Sequence, residues 1–206
     1  MFSKGFNMRG RRILVIFLLI LLGGIVFASH RTVPVKEFSA NIVDALPTPA
    51  PMPTEINANF LTQVNECFIS VAAVYGYTLR IASGFRTTDE QAELYEQGRT
   101  EDGHIVSWAP EGKSIHNYGY AVDVVDRWRG YNINWKKLAK IGEYCGLAQV
   151  DDPHFEYRGG LATEQFEAGL RPPPIMLPCT IMGERASTGK PLTRQDLKNC
   201  GAPLFQ

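Results

Sequence analysis

Residues Tyr120 to Val125 read Tyr-Ala-Val-Asp-Val-Val, an apolar, β-branched run suited to a buried strand, yet it carries a carboxylate at Asp123. An unpaired carboxylate in an apolar interior is costly, so a chain that buries this strand must bring a cation or several donors to Asp123. His116 lies seven residues earlier, across the turn-prone Asn117-Tyr118-Gly119, and such a turn can return its imidazole to Asp123. A second segment, Asp151-Asp152-Pro153-His154-Phe155-Glu156, supplies His154. Taken singly, each of the three is more ordinary as a polar residue or a turn cap. Together, in a chain with four histidines, two imidazoles and a carboxylate make a three-ligand metal shell. Zinc with a fourth position open to water is the commonest hydrolytic use of such a shell.

The order S-x-H-x-x-G-x-A-x-D, from Ser114 to Asp123, followed by D-x-x-H from Asp151 to His154, resembles the zinc peptidases that cut D-amino-acid-containing peptides of bacterial cell walls. These are the D-Ala-D-Ala carboxypeptidases and dipeptidases and the L-alanyl-D-glutamate endopeptidases, whose fold is related to the hedgehog signalling domain. Ser83-Gly84-Phe85-Arg86-Thr87, Gln91, Leu94, Tyr95 and Gly98-Arg99-Thr100 resemble the same family, as do Gly103, Ile105-Val106 and Ala109. The likeness covers about residues 56 to 160 and is closest to the endopeptidase branch.

The resemblance implies a zinc site on His116, Asp123 and His154, with a water attacking the peptide bond. Such a site lowers the pKa of bound water to about 7 and polarises a carbonyl. Asp151 matches the position of the family's catalytic carboxylate, and Arg86 the arginine that steadies the developing oxyanion. Ser114 is expected to hydrogen-bond near metal or substrate, since no base stands beside it in a serine-hydrolase pattern. Glu156 shares a strand face with His154 and could orient that imidazole. The implied substrate is a peptidoglycan stem peptide, cut between L-Ala and D-Glu. D-Ala-D-Ala carboxypeptidase activity is the alternative, and a non-catalytic zinc-containing cell-wall binding module is the alternative from another class. A binding module would need neither Asp151 nor Arg86. A monomer is expected.

The first twelve residues hold Lys4, Arg9, Arg11 and Arg12 and no acid; the 21 basic residues less these four leave 17 against 21 acidic, a balance of −4. That balance gives no support to nucleic-acid binding. Ile13 to Ala28 is apolar apart from Gly23-Gly24 and follows the basic cluster. Residues 1–28 therefore read as a basic flank with a signal peptide or membrane anchor, which sends the remainder out to the periplasm or cell-wall side. If it is uncleaved, the protein is membrane-anchored; otherwise it is secreted. Residues 29–55 form a Pro-rich linker, in which Pro47, Pro49, Pro51 and Pro53 alternate with small residues.

The catalytic domain is expected over 56–160. Ile56, Phe60, Val64, Phe68, Val71 and Tyr75 recur at helical spacing, and Gly76 is a stop. Tyr77 to Ala82 reads as a strand. A helix follows, capped by Thr87 with Glu90 or Thr88 with Gln91, and Gly98 ends it. Residues 99 to 113 form a loop in which His104 is a surface histidine. Trp135 to Cys145 marks a third helix, and Leu147–Val150 and His154–Tyr157 are short strands. Helices interspersed with short strands predict an α+β fold with a small antiparallel sheet packed by helices, as the resemblance to the hedgehog and D-Ala-D-Ala metallopeptidases also implies.

Residues 161–206 are expected to be an irregular C-terminal extension with one short helix over Thr163–Leu170. Cys179 and Cys200 in this tail are predicted to bridge in an oxidising compartment. Cys67 and Cys145 read as small buried residues within helices, and no C-x-x-C spacing supports a cysteine-held zinc. Ser187-Thr188-Gly189-Lys190 mimics the S-x-x-K of penicillin-binding proteins without its S-D-N, and Gly183 to Lys190 mimics a phosphate loop with one residue too many. Both are discounted.

Overall fold

Burial, rather than alternation, explains the continuous apolar run around Asp123, because its strand lies inside the sheet. The computed structural model of the chain describes residues 50–203 and 205. The apolar segment 13–28 and most of the Pro-rich linker lie outside the described residues. Among the described residues, no helix is long and apolar enough to cross a membrane.

In chain order the elements are helix α1, continuous over Ala58–Thr62, Gln63–Ile69 and Ser70–Val74 with its middle part π-helical, then strand β1 (Leu79–Ser83) and helix α2 (Thr88–Glu96). A 3-10 helix (Ile115–Tyr118) precedes strand β2 (Ala121–Asp126), helix α3 (Trp135–Tyr144) and strands β3 (Ala148–Asp151) and β4 (His154–Glu156). Helices α4 (Thr163–Glu167), α5 (Thr180–Ser187) and α6 (Arg194–Asn199) complete the elements among the described residues. The four strands form one antiparallel sheet in the order β1-β2-β4-β3, so the α+β expectation is borne out.

Strand β2 is flanked on both sides, and every residue in it except Asp123 is buried. The helical stripe of α1 packs onto this sheet: Phe60, Val64, Phe68 and Val71 are fully buried, and the Phe68 ring lies 4.4 Å from that of Phe155 on β4. Helix α3 comes in closely enough that a Cβ on Gly142 would lie 2.8 Å from the Phe155 ring, which explains a glycine inside that helix. At the start of α2 the reciprocal cap forms between Thr87 and Glu90. Gln91 does not serve as the alternative cap partner; it turns inward and is fully buried.

Cys67 and Cys145 are not free buried thiols but form a disulfide, with a sequence separation of 78. It ties the middle of α1 to the end of α3, where Gln63 Nε2 also donates to the Cys145 carbonyl at 2.6 Å. The second disulfide is Cys179–Cys200, as expected. The segment 161–206 is not irregular: beyond α4 it forms α5 and α6, and it adds Phe166, Met182, Leu197 and Phe205 to the buried core. Thr193 caps α6 in a reciprocal box with Asp196, and Arg185 of α5 donates to the same carboxylate at 2.8 Å. Burial and the disulfide hold these short helices, which isolated sequence would not sustain.

Candidate metal centre

Ser114 begins the site. Its Oγ accepts the His116 backbone N–H at 3.3 Å and caps the 3-10 helix, which buries His116 to 1% exposure. Gly119 then adopts φ 75° and turns the chain into β2; a Cβ there would lie 2.6 Å from the Glu55 carbonyl, so only glycine fits. This is the return from His116 to Asp123 that the spacing predicted. On the sheet, Asp123 pairs with Ser83 of β1 on one side and His154 of β4 on the other.

The three side chains converge. His116 Nε2 lies 3.0 Å from His154 Nδ1 and 3.3 Å from Asp123 Oδ1, and His154 Nδ1 lies 3.4 Å from the same oxygen. The far nitrogen of each ring is anchored to an acceptor: His116 Nδ1 sits 2.5 Å from the Gly84 carbonyl and His154 Nε2 2.9 Å from Glu156 Oε2. A neutral imidazole that donates from its far nitrogen presents a lone pair from the near one. Two lone pairs and a carboxylate oxygen facing one another, once His154 gives up its second proton to the incoming ion, are a donor set for a cation. A tetrahedral ion with ligand distances of about 2.0–2.2 Å spaces its ligands about 3.3–3.6 Å apart, close to the observed triangle. Among the described residues this is the one group of His, Cys, Asp or Glu side chains close enough to hold a metal.

Charge is balanced around the triangle. Burial alone would raise the Asp123 carboxyl, but its hydrogen bonds to His116 and His154 and the charge of Arg86 hold it well below the usual carboxylate range. Burial likewise opposes a charged His154, yet contacts with Asp123 and Glu156 push it up to about 9. Glu156 is 4% exposed; burial would raise it, and His154 and Arg158 together hold it down. Arg158 pairs with Glu156 through Nε and donates to Thr163 Oγ1 at 2.9 Å, so the Glu156–His154 contact is braced from outside.

Arg86 reaches Asp123 Oδ2 from Nη2 at 2.5 Å, and donates to Ser83 Oγ from Nε and to Gln91 Oε1 from Nη1. Gln91 spends its own amide hydrogens on Ser107 Oγ and the Ala109 carbonyl, both at 2.7 Å, and so ties the 99–113 loop to Arg86. The sequence showed Gln91 as part of a family-like pattern; its bridging role needed the fold.

These residues line a cavity of about 290 Å3 with Arg86, Lys113, Ser114, His116, Asp123, Asp151, Asp152, His154, Glu156 and Arg158 on its walls. Exposed Val106, Trp108 and Val150 line it too; of these, Val106 belongs to the family-like run read from the sequence, and neither Trp108 nor Val150 carries a functional signal there. His104 is exposed and lies outside this lining, consistent with a surface loop. Asp151, on β3 opposite His154, is exposed, and its carboxylate has no hydrogen-bond or ion partner among the described residues. Asp152, whose bond to Pro153 is cis, accepts from Gln149 Nε2 at 2.7 Å.

Residues 54–147 match the family model described as VanY, D-alanyl-D-alanine carboxypeptidase. The peptidoglycan L-alanyl-D-glutamate endopeptidase CwlK of Bacillus subtilis is 39% identical over 85 residues, which are 41% of this chain and 50% of that protein. The chain thus spans about half the length of that curated relative. Among solved structures, the vancomycin-resistance D,D-pentapeptidase VanY with Zn(II) is 20% identical at a TM-score of 0.41, covering 58% of this chain and 90% of its own. The L,D-carboxypeptidase DacB of Streptococcus pneumoniae is 18% identical at a TM-score of 0.42, covering 73% and 79%.

Proposed function

We propose, from the match of residues 54–147 to the D-alanyl-D-alanine carboxypeptidase family, that this chain is a zinc peptidase that hydrolyses peptidoglycan stem peptides between L-Ala and D-Glu. The observation that carries the reading is the triangle of His116, Asp123 and His154, whose edges of 3.0, 3.3 and 3.4 Å suit a tetrahedral ion with N and O ligands. Zinc held there supplies Lewis acidity toward a carbonyl and an activated water. The 39% identity to an L-alanyl-D-glutamate endopeptidase supports putting that bond first. The family description favours the second reading, release of a terminal D-Ala.

The chain's own residues divide the remaining work. Asp151 takes the proton of the attacking water and delivers it to the leaving amine. It suits that task because Asp152 is engaged by Gln149 and Glu156 by His154 and Arg158, whereas Asp151 is free to turn into the cavity. Arg86 has five N–H donors, of which Ser83, Gln91 and Asp123 take three. Two remain for the substrate carbonyl oxygen as charge develops on it. The Ser114 hydroxyl accepts from His116 N and keeps its own hydrogen for the substrate. Two disulfides fit an oxidising compartment, and with residues 13–28 as anchor or cleaved signal the protein acts outside the membrane, as a monomer.

Purified peptidoglycan digested with the zinc-loaded protein tests this. Mass spectrometry should find stem peptides that begin at D-Glu. Free D-Ala as the only product would move the cut to the second reading.

A further inference from the structure

We propose that Lys113 reads the free α-carboxylate of D-Glu at the cut, and that Glu167 occupies that subsite when no substrate is bound. The proposal rests on the L-Ala–D-Glu reading. In stem peptides D-Glu continues the chain through its γ-carboxyl, so its α-carboxylate hangs from the carbon that bears the leaving nitrogen. A peptidase cutting there meets an anion two bonds from the leaving nitrogen. The cavity wall carries four acids, Asp123, Asp151, Asp152 and Glu156, so that anion needs an available cation.

Three cations line the cavity: Arg86, Lys113 and Arg158. Arg86 is held by Asp123, Ser83 and Gln91, with its side chain 17% exposed. Arg158 is held by Glu156, which is buried, and by Thr163. Both are committed to carboxylates of the metal cluster, and withdrawing either would leave a buried charge uncompensated. Lys113 differs. Its partner, Glu167, comes from α4, outside the cluster, and the two side chains are 46% and 35% exposed. A pair so exposed contributes little to stability and exchanges readily. Its partner is therefore replaceable by a carboxylate of the substrate.

The placement is built rather than incidental. Lys113 directly precedes Ser114, and its backbone N–H closes a turn on Pro110 at 3.1 Å, which fixes where the side chain leaves the wall. Glu167 is held close by its neighbour Phe166, 1% exposed, whose ring packs 5.2 Å from Tyr118 and 5.9 Å from Tyr120. Thus the C-terminal extension presents a carboxylate to a cavity-lining ammonium beside the metal triangle. An ammonium on a flexible stem, with three donors, can follow a carboxylate from Glu167 to the substrate.

The test compares L-Ala-γ-D-Glu-L-Lys with its α-amide, in which D-isoglutamine replaces D-Glu, on the full zinc-loaded chain. The wild type should bind the acid more tightly than the amide. Lys113→Met should raise KM for the acid about tenfold, the loss of one charge-assisted hydrogen bond, with kcat and the amide's KM near wild type. Lys113→Arg should restore the preference, and Glu167→Gln should lower the acid's KM by vacating the subsite. An equal rise for both peptides would make Lys113 a packing residue and overturn the proposal, as would no change for either. Dissociation constants by calorimetry read the subsite even where no bond is cut. Absence of cleavage by the wild type would sink the endopeptidase reading, whereas equal affinities for acid and amide would sink this one.

Discussion

Asp123 on β2 and His154 on β4 are direct cross-strand partners, and Oδ1 of the one lies 3.4 Å from Nδ1 of the other. Opposed residues of an antiparallel pair project to the same face, so main-chain register alone sets two of the three candidate ligands. A slip of one residue would send both to the other face, and the buried neighbours Val122, Val124 and Phe155 forbid it. Only His116 comes from outside the sheet, delivered by the 3-10 helix and the turn at Gly119.

Metal content follows from this arrangement. The wild type should hold about one zinc per chain, with three protein ligands completing one site. His116→Ala and His154→Ala should each lose most of it by atomic absorption while the chain stays folded by circular dichroism. Full zinc retention in either variant would remove that residue from the ligand set.

Three carboxylates near His154 should separate by measurement. Asp151→Asn should keep zinc and lose at least the ~10²-fold in turnover typical of a missing general base. Glu156→Ala should instead weaken zinc by about 10- to 100-fold in a chelator competition, because it removes the acceptor behind a ligand imidazole. Asp152→Asn should do neither. A collapse of turnover in Asp152→Asn, with Asp151→Asn near normal, would move the base.

The disulfides should differ in weight. Loop-closure entropy gives the 78-residue bridge Cys67–Cys145 about 4.5 kcal/mol and the 21-residue bridge Cys179–Cys200 about 3.3 kcal/mol. Paired Cys→Ala variants, compared by urea midpoint, should show the larger loss for the first. Activity should survive loss of the second at temperatures where the chain is folded, since no proposed catalytic residue lies in the loop it closes.

Acid should expose the role of Asp126. This carboxylate, 2% exposed, accepts from the backbone of Thr78, Trp128 and Arg129 and from the Arg129 guanidinium. The Arg129 contact, with the backbone donors and against the effect of burial, holds its pKa below the ordinary value. A depressed folded-state pKa gives stability that is fully present above the unfolded value of about 3.9 and is lost as pH falls through the folded one. Asp126→Asn should therefore lose about 1–3 kcal/mol at pH 7. Its deficit in urea unfolding should shrink toward zero well below pH 4; a deficit that persisted unchanged in acid would refute the account.

The site was legible because its signals are local. His116 and Asp123 are seven residues apart across a turn, Asp151 and His154 three apart in a hairpin, and an apolar strand with a carboxylate demands a partner. The helix of Phe60, Val64 and Phe68 was legible by its period. What escaped depends on distant contacts. Cys67 and Cys145 meet across 78 residues, which no spacing announces. Helices α5 and α6 are too short for a period, and Met182 and Leu197 acquire meaning only against the core they complete. The sequence marks Arg86 as a catalytic cation, but its tie to Asp123 and, through Gln91, to the 99–113 loop is tertiary.

Zinc titration of the metal-stripped full chain, with hydrolysis of L-Ala-γ-D-Glu-L-Lys as the readout, tests the central claim most directly. Release of free L-Ala should be absent without metal, rise linearly, and reach its plateau at one equivalent of zinc, with His154→Ala flat throughout. Hydrolysis that proceeds undiminished in the metal-stripped chain, or that never appears at one equivalent, would contradict it.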